Sequence, residues 1–225
     1  MRILPGTLLA ALLLSTSMAH AGVIVGGTRL IYDASKKESS LNISNPDDVP
    51  YLIQAWVESK DGETAKPPFI VTPPLFRLEG GQENVLRVVQ AGGNLPTDKE
   101  SLYWMSIKSI PSATKEYSGN TLQIAVKTRI KLIYRPKSIK GVAEDVTDKL
   151  RWSRSGSKIT VTNPTPFYMN FHQVTFGGKK VEDVTFVAPG SSSTYVVPKG
   201  ASANKISWKI ISDYGGSGKE HSASL

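Results

Sequence analysis

The 225-residue chain has no cysteine. That excludes disulfide staples, thiolate nucleophiles and cysteine-ligated zinc, and it leaves apolar burial as the main source of stability. Histidine is nearly as scarce, with His20, His172 and His221 the whole set. No helical periodicity interrupts the first part of the chain, and no apolar run long enough to cross a bilayer occurs after residue 21.

What is present begins with MRILPGTLLAALLLSTSMAHAG, where Arg2 precedes an apolar run from Leu8 to Leu14 and a small-x-small pattern closes at Ala19-His20-Ala21. This reads as a secretory signal peptide over residues 1–21, too short in its apolar core to anchor a protein. The mature chain is expected to start at Gly22 and to be exported, with no membrane insertion. Lys and Arg number 27 against 19 Asp and Glu, and only Arg2 of these cations lies in the leader. The surplus favours anionic partners, but export and the lack of a basic-aromatic recognition motif argue against nucleic acid.

The stretch NTLQIAVKTRIKLIYRP, residues 120–136, alternates with a period of two. Leu122, Ile124, Val126, Thr128, Ile130, Leu132 and Tyr134 fall on one side, while Lys127, Arg129, Lys131 and Arg135 fall on the other. The pattern predicts one long β-strand, well beyond the usual length of about five or six residues. Either the apolar row fills its own core throughout, or part of it projects to meet another chain.

Six further runs rich in Val, Ile, Thr and Tyr precede this one, and six follow it, each set off by Gly, Pro, Asn or Asp. The pattern implies an all-β chain of two immunoglobulin-like sandwiches, over residues 22–141 and 142–225. The lysine-rich PKSIKG and the polar AEDVTDK mark the hinge, and GGSGKEHSASL reads as a mobile tail. No internal repeat is evident. A cis bond is expected within Thr72-Pro73-Pro74, where adjacent prolines interrupt a strand-like run.

Little in the sequence supports an enzyme. His172 and His221 lie on separate segments, which disfavours a joint metal site. YGGSGKE resembles a phosphate loop, but Asp213 stands where the first glycine belongs and Glu220 follows the lysine. Glu144, Asp145 and Asp148 read as a solvated linker rather than paired catalytic carboxylates. No GxSxG elbow occurs.

Several motifs taken together resemble the periplasmic chaperones of the chaperone-usher pathway, the family of the type 1 and P pilus chaperones. LPTDKESLYWMSIKSIP, from Leu95 to Pro111, carries the family signature, and YLIQAWVE, FIVTPPLFRLE, RIKLIYRP, NPTPFY and SDYG follow the family order across the mature chain. Ser106 departs from the usual Asn or Cys, which weakens a local hydrogen-bond inference. The loop PSATKEYSG is short and free of cysteine, as in the short-loop branch.

The resemblance implies a boomerang of two sandwiches whose cleft captures pilus subunits and presents them to an outer-membrane usher in the periplasm. It implies that Arg29 and Lys131 hold the subunit's C-terminal carboxylate. It further implies that Leu122, Ile124 and Val126 fill the groove of the subunit's incomplete sandwich, and that Glu100, Arg135 and Asp213 form an interdomain ion network. No cofactor or metal is implied, and no catalysis. Ile130 and Leu132 are expected to fill the chain's own core. The competing reading is a secreted two-domain adhesive module, which would not require Arg29 and Lys131 to converge.

Overall fold

The computed structural model describes residues 22–59, 66–112, 122–201 and 203–225. The expected signal peptide and the loop 113–121 lie outside the described residues. The first half contains β1 (Ile24–Val25), β2 (Arg29–Asp33), β3 (Glu38–Ser44), β4 (Tyr51–Glu58), β5 (Phe69–Thr72), β6 (Leu75–Leu78), β7 (Glu83–Gln90), β8 (Ser101–Pro111) and β9 (Val126–Arg135). A four-stranded sheet, β1-β3-β7-β5, faces a five-stranded one, β2-β9-β8-β4-β6. Alternation decides which residues meet between them. Leu41 and Ile43 of β3, Ile53 and Ala55 of β4, Leu86 and Val88 of β7, and Met105 and Ile107 of β8 are all buried in one cluster.

A 3-10 helix (Ala143–Lys149) leads into the second half. There, β10 (Arg151–Ser155), β11 (Lys158–Thr162), β12 (Met169–Phe176), β13 (Lys179–Lys180), β14 (Phe186–Val187), β15 (Ser192–Val196), β16 (Lys205–Ile210) and β17 (His221–Ser224) form a second sandwich. Its sheets are β10-β11-β15 and β13-β12-β16-β17, with β14 also paired to β12. A separate core built from Ile159, Val161, Met169, Phe176, Ile206 and neighbouring residues fills the space between them.

Four findings differ from or extend the sequence reading. AEDVTDK is not a free linker: Thr147 is buried and its Oγ1 accepts a hydrogen bond from the Trp208 indole at 3.3 Å. The C-terminal tail is not loose either, because His221–Ser224 pairs antiparallel with Lys205–Trp208. The long alternating segment forms ladder only from Val126, opposite Ser109, and residues 122–125 lie outside any strand. Its partner strand ends two residues beyond Ser109 at Pro111, which has no N–H to donate. The Thr72-Pro73 bond is cis, as expected.

The fourth is a turn that occurs once in each sandwich. Asn45 Nδ2 donates to the Val49 carbonyl at 2.8 Å and its Oδ1 accepts from the Asp47 N–H at 3.2 Å. Asn163 Nδ2 donates to the Phe167 carbonyl at 2.7 Å and its Oδ1 accepts from the Thr165 N–H at 3.0 Å. Both asparagines are buried, so each amide replaces water for a turn that would otherwise bury unpaired backbone groups. The flanking sequences, SNPDDVPY and TNPTPFY, share too little for the repetition to stand out.

Candidate functional site

The outer face of β2 and β9 explains how the two sandwiches meet. These strands run parallel, with Arg29 beside Lys131, Ile31 beside Ile133 and Asp33 beside Arg135. β8 extends the rows antiparallel on the other side of β9, placing Trp104 by Lys131 and Leu102 by Ile133. The surface therefore carries a cationic row, an apolar row and an ionic row in succession.

The apolar row is consumed by the second sandwich. Leu102, Ile133 and Tyr168 are buried together, with Ile31, Phe186 and Ala188 packed against them. The ionic row is consumed as well. Arg135 Nε meets Glu100 Oε1 at 2.7 Å, and its two terminal nitrogens meet the Asp213 carboxylate at 2.6 and 2.9 Å. The Glu100 side chain is 1% exposed, and its second oxygen accepts the Tyr168 N–H at 2.7 Å. The Glu100 N–H also donates to the Pro166 carbonyl at 2.9 Å. Burial raises the Glu100 carboxyl above its ordinary range and outweighs the pull of Arg135, while the two carboxylates hold Arg135 firmly charged. The structure thus brings Glu100, Arg135 and Asp213 into one contact that spans both halves of the chain.

Asp213 rides on a tight turn. The Gly215 N–H bonds to the Ser212 carbonyl, and the Ser212 N–H to that of Gly216. Gly215 has φ +86°, and a Cβ there would lie 2.7 Å from Thr28 Oγ1, so the SDYG sequence needs glycine at this point.

The cationic row stays at the rim. Lys131 Nζ donates to Asn170 Oδ1 at 2.5 Å and lies 4.6 Å from the centre of the Phe186 ring. Arg29 Nη1 reaches the Ile211 carbonyl at 3.5 Å, and its Nε is buried with no hydrogen-bond partner. Partial burial, followed by the charge of Arg29, lowers the Lys131 ammonium to about 8. Burial likewise lowers Arg29, against the opposing attraction of Asp213 and Glu144. Two half-buried cations held side by side, one with an unused donor, are arranged to receive an anion.

Along the same strand the apolar series divides sharply. Ile130 and Leu132 are 6% and 0% exposed and belong to the first core, as expected. Leu122, Ile124 and Val126 are 86%, 65% and 54% exposed, so they do not fill it. Ser106 buries its hydroxyl without a partner, opposite Trp56 and Arg129.

Sequence reasoning missed the second sandwich's share of the site: Tyr168, Asn170 and Phe186. It also missed Ile133, although a signal was available, since Ile133 interrupts the run of cations at positions 127, 129, 131 and 135. Among the described residues no cluster of His, Asp and Glu is suited to a metal ion, and no helix is long and apolar enough to cross a membrane.

Two immunoglobulin-like sandwiches clamped by a buried ion network, with paired cations at the seam and an exposed apolar row leading to them, define a two-domain binding protein. The chain belongs to the pilus-assembly chaperones. Residues 22–140 match the N-terminal domain of the pili and flagellar-assembly chaperone family typified by PapD, and residues 145–222 match the PapD C-terminal domain. The chain is 42% identical over 216 residues to the chaperone protein FimC of Escherichia coli, covering 95% of this chain and 88% of FimC. It is similar to a chain in the structure of the Salmonella enterica SafA pilin in complex with the SafB chaperone, with TM-score 0.85, 40% identity, and coverage of 93% and 99%. The Escherichia coli chaperone DraB superposes with TM-score 0.82 at 41% identity, covering 90% of this chain and 96% of DraB.

Proposed function

We propose that this chain is a periplasmic chaperone that captures pilus subunits by donating Leu122, Ile124 and Val126 to an incomplete sandwich and anchoring the subunit's C-terminal carboxylate on Arg29 and Lys131. The observation that carries the reading is the open edge of β9. β2 pairs with β9 only from Lys131 onward, and among the described residues no strand pairs with Val126–Ile130 on that side. A chain entering there lies in line with β2. If it runs parallel to β9, as β2 does, its C-terminus ends at Arg29 and Lys131; if antiparallel, an ammonium would arrive at two cations. Charge therefore selects the parallel orientation and a carboxylate terminus.

Backbone pairing at this edge and burial of Leu122, Ile124 and Val126 then act together. Each apolar side chain contributes roughly 1.5–3 kcal/mol before the cost of ordering the partner. The relative crystallised with a pilin, SafB, supports a subunit as the partner. In this reading residues 1–21 direct export, residues 22–141 and 142–225 are the two domains, and the Glu100–Arg135–Asp213 contact fixes the angle between them. An outer-membrane usher receives the complex, and no cofactor takes part.

Arg29→Ala and Lys131→Ala are each expected to abolish co-purification with a subunit bearing its natural C-terminus while leaving the thermal transition intact. Retention of the subunit by both variants at wild-type level would overturn the anchoring assignment.

A further inference from the structure

The odd-numbered face of β9 continues outward from the carboxylate site as a cationic stripe. Lys127, Arg129 and Lys131 all point to this face, and cross-strand neighbours reinforce the charge. Lys108 stands directly opposite Lys127 on β8, and Arg29 stands beside Lys131 on β2. Like charges in such positions oppose the fold, so the stripe is costly unless something compensates it. Glu58 compensates part, holding Lys127 at 2.6 Å and Arg129 at 3.2 Å. Two indoles floor the stripe: Lys127 lies 5.0 Å from the Trp56 ring and Arg129 4.4 Å from the Trp104 ring. These contacts hold the cations in place along the open edge rather than leaving them to wander in solvent.

Residues paired laterally in a sheet share a face. In a strand added to the open edge of β9, those beside Val126, Thr128 and Ile130 face the apolar side. The two beside Lys127 and Arg129, two residues apart, face the cations. We infer that Lys127 and Arg129 are specificity-determining residues that select a partner strand with acidic or neutral side chains at these two positions and reject one with lysine or arginine there. The inference rests on the capture mode proposed above: apolar positions and the terminal carboxylate provide the anchor, and the outward positions provide discrimination.

The test uses the mature full-length chain and synthetic peptides spanning the distance from Leu122 to Lys131. The peptides share one set of alternating apolar residues and carry Glu, Gln or Lys at the two outward positions, each made with a free carboxylate and as the amide. Binding is read by fluorescence anisotropy of the labelled peptide. The Glu peptide is expected to bind about fivefold more tightly than the Lys peptide at low ionic strength, a ratio that shrinks as salt is added. The ratio should disappear in the Lys127→Gln/Arg129→Gln variant, whose preference for acid over amide is retained. If Glu and Lys peptides bind equally while the amides fail, the selectivity is refuted and the capture mode stands. If acid and amide peptides bind alike or not at all, the capture mode fails and takes the selectivity with it.

Discussion

Replacing Arg135 by methionine is expected to destabilise the chain severely, and in a way that depends on pH. The substitution keeps an unbranched side chain of similar length but removes the cation bonded to Glu100, whose side chain is 1% exposed. A buried carboxylate stripped of its partner costs about 3–5 kcal/mol if it stays charged. It has an alternative, which is to take a proton. Protonating at pH 7 a carboxyl whose ordinary value is 4.5 costs about 3.4 kcal/mol, and at pH 5 only about 0.7 kcal/mol. Loss of the bonds to Asp213, which is partly solvated, adds about 1 kcal/mol. The deficit against wild type should therefore be about 3–5 kcal/mol at pH 7 and about 1–2 kcal/mol at pH 5. The sign follows from linkage: the folded variant holds the Glu100 proton more tightly than the unfolded chain, so its stability rises as pH falls toward the unfolded value. Glutamine at position 100 can still accept the Tyr168 N–H, so Arg135→Met/Glu100→Gln should lose only about 1–2 kcal/mol at either pH. Urea unfolding of the three purified proteins at both pH values measures these quantities. A double variant as unstable as the single one, or a deficit that does not change between pH 7 and pH 5, would refute the reasoning.

Changing Leu122, Ile124 and Val126 together to serine should move the thermal midpoint by no more than about 2 °C, because all three are more than half exposed, yet subunit capture should fail. Subunit affinity should fall as pH rises through about 8, where Lys131 loses its charge, whereas Lys131→Arg should bind evenly across that range. Over the same range the folded state releases the Lys131 proton before the unfolded chain does, so the fold itself gains stability between about 8 and 10.5; pH titration of both properties separates the two effects. Asn163→Ala should cost about 2–3 kcal/mol in urea, since it removes the 2.7 Å donor to the buried Phe167 carbonyl and the acceptor of the buried Thr165 N–H.

The strands of the first sandwich were legible because each buries alternate residues on one face, a signal that β4 and β7 carry without interruption. The same signal misled at residues 122–125, where the apolar alternation continues but the ladder does not. Periodicity records where side chains are meant to go, not whether a backbone partner is present. β17 escaped notice for the opposite reason. Its sequence, HSAS, is short and mostly polar, and backbone pairing with β16 places it at the sheet edge. Of the site, Arg29 and Lys131 were legible only through their contexts, GGTRLIYD and RIKLIYRP. Asn170 and Phe186 were not, because they come to Lys131 from the other sandwich and no local pattern marks the approach.

The order of the three rows on β2 and β9 bears on why the cations can wait for a ligand. Side chains on one face of a strand recur about every 6.6 Å, so the cationic row lies one step from the apolar row and two from the ionic row. Burial of Leu102, Ile133 and Tyr168, together with the Arg135 contact, fixes the second sandwich against the first. That fixed surface sets Asn170 and Phe186 against Lys131 and the Ile211 carbonyl against Arg29. The desolvation and mutual repulsion of the two cations are thus met when the chain folds, not when it binds. On the proposed anchoring role, an arriving carboxylate would find its donors already oriented and would gain most of their attraction as affinity. Loosening the ionic row should therefore weaken carboxylate capture even though neither Glu100 nor Asp213 touches the ligand.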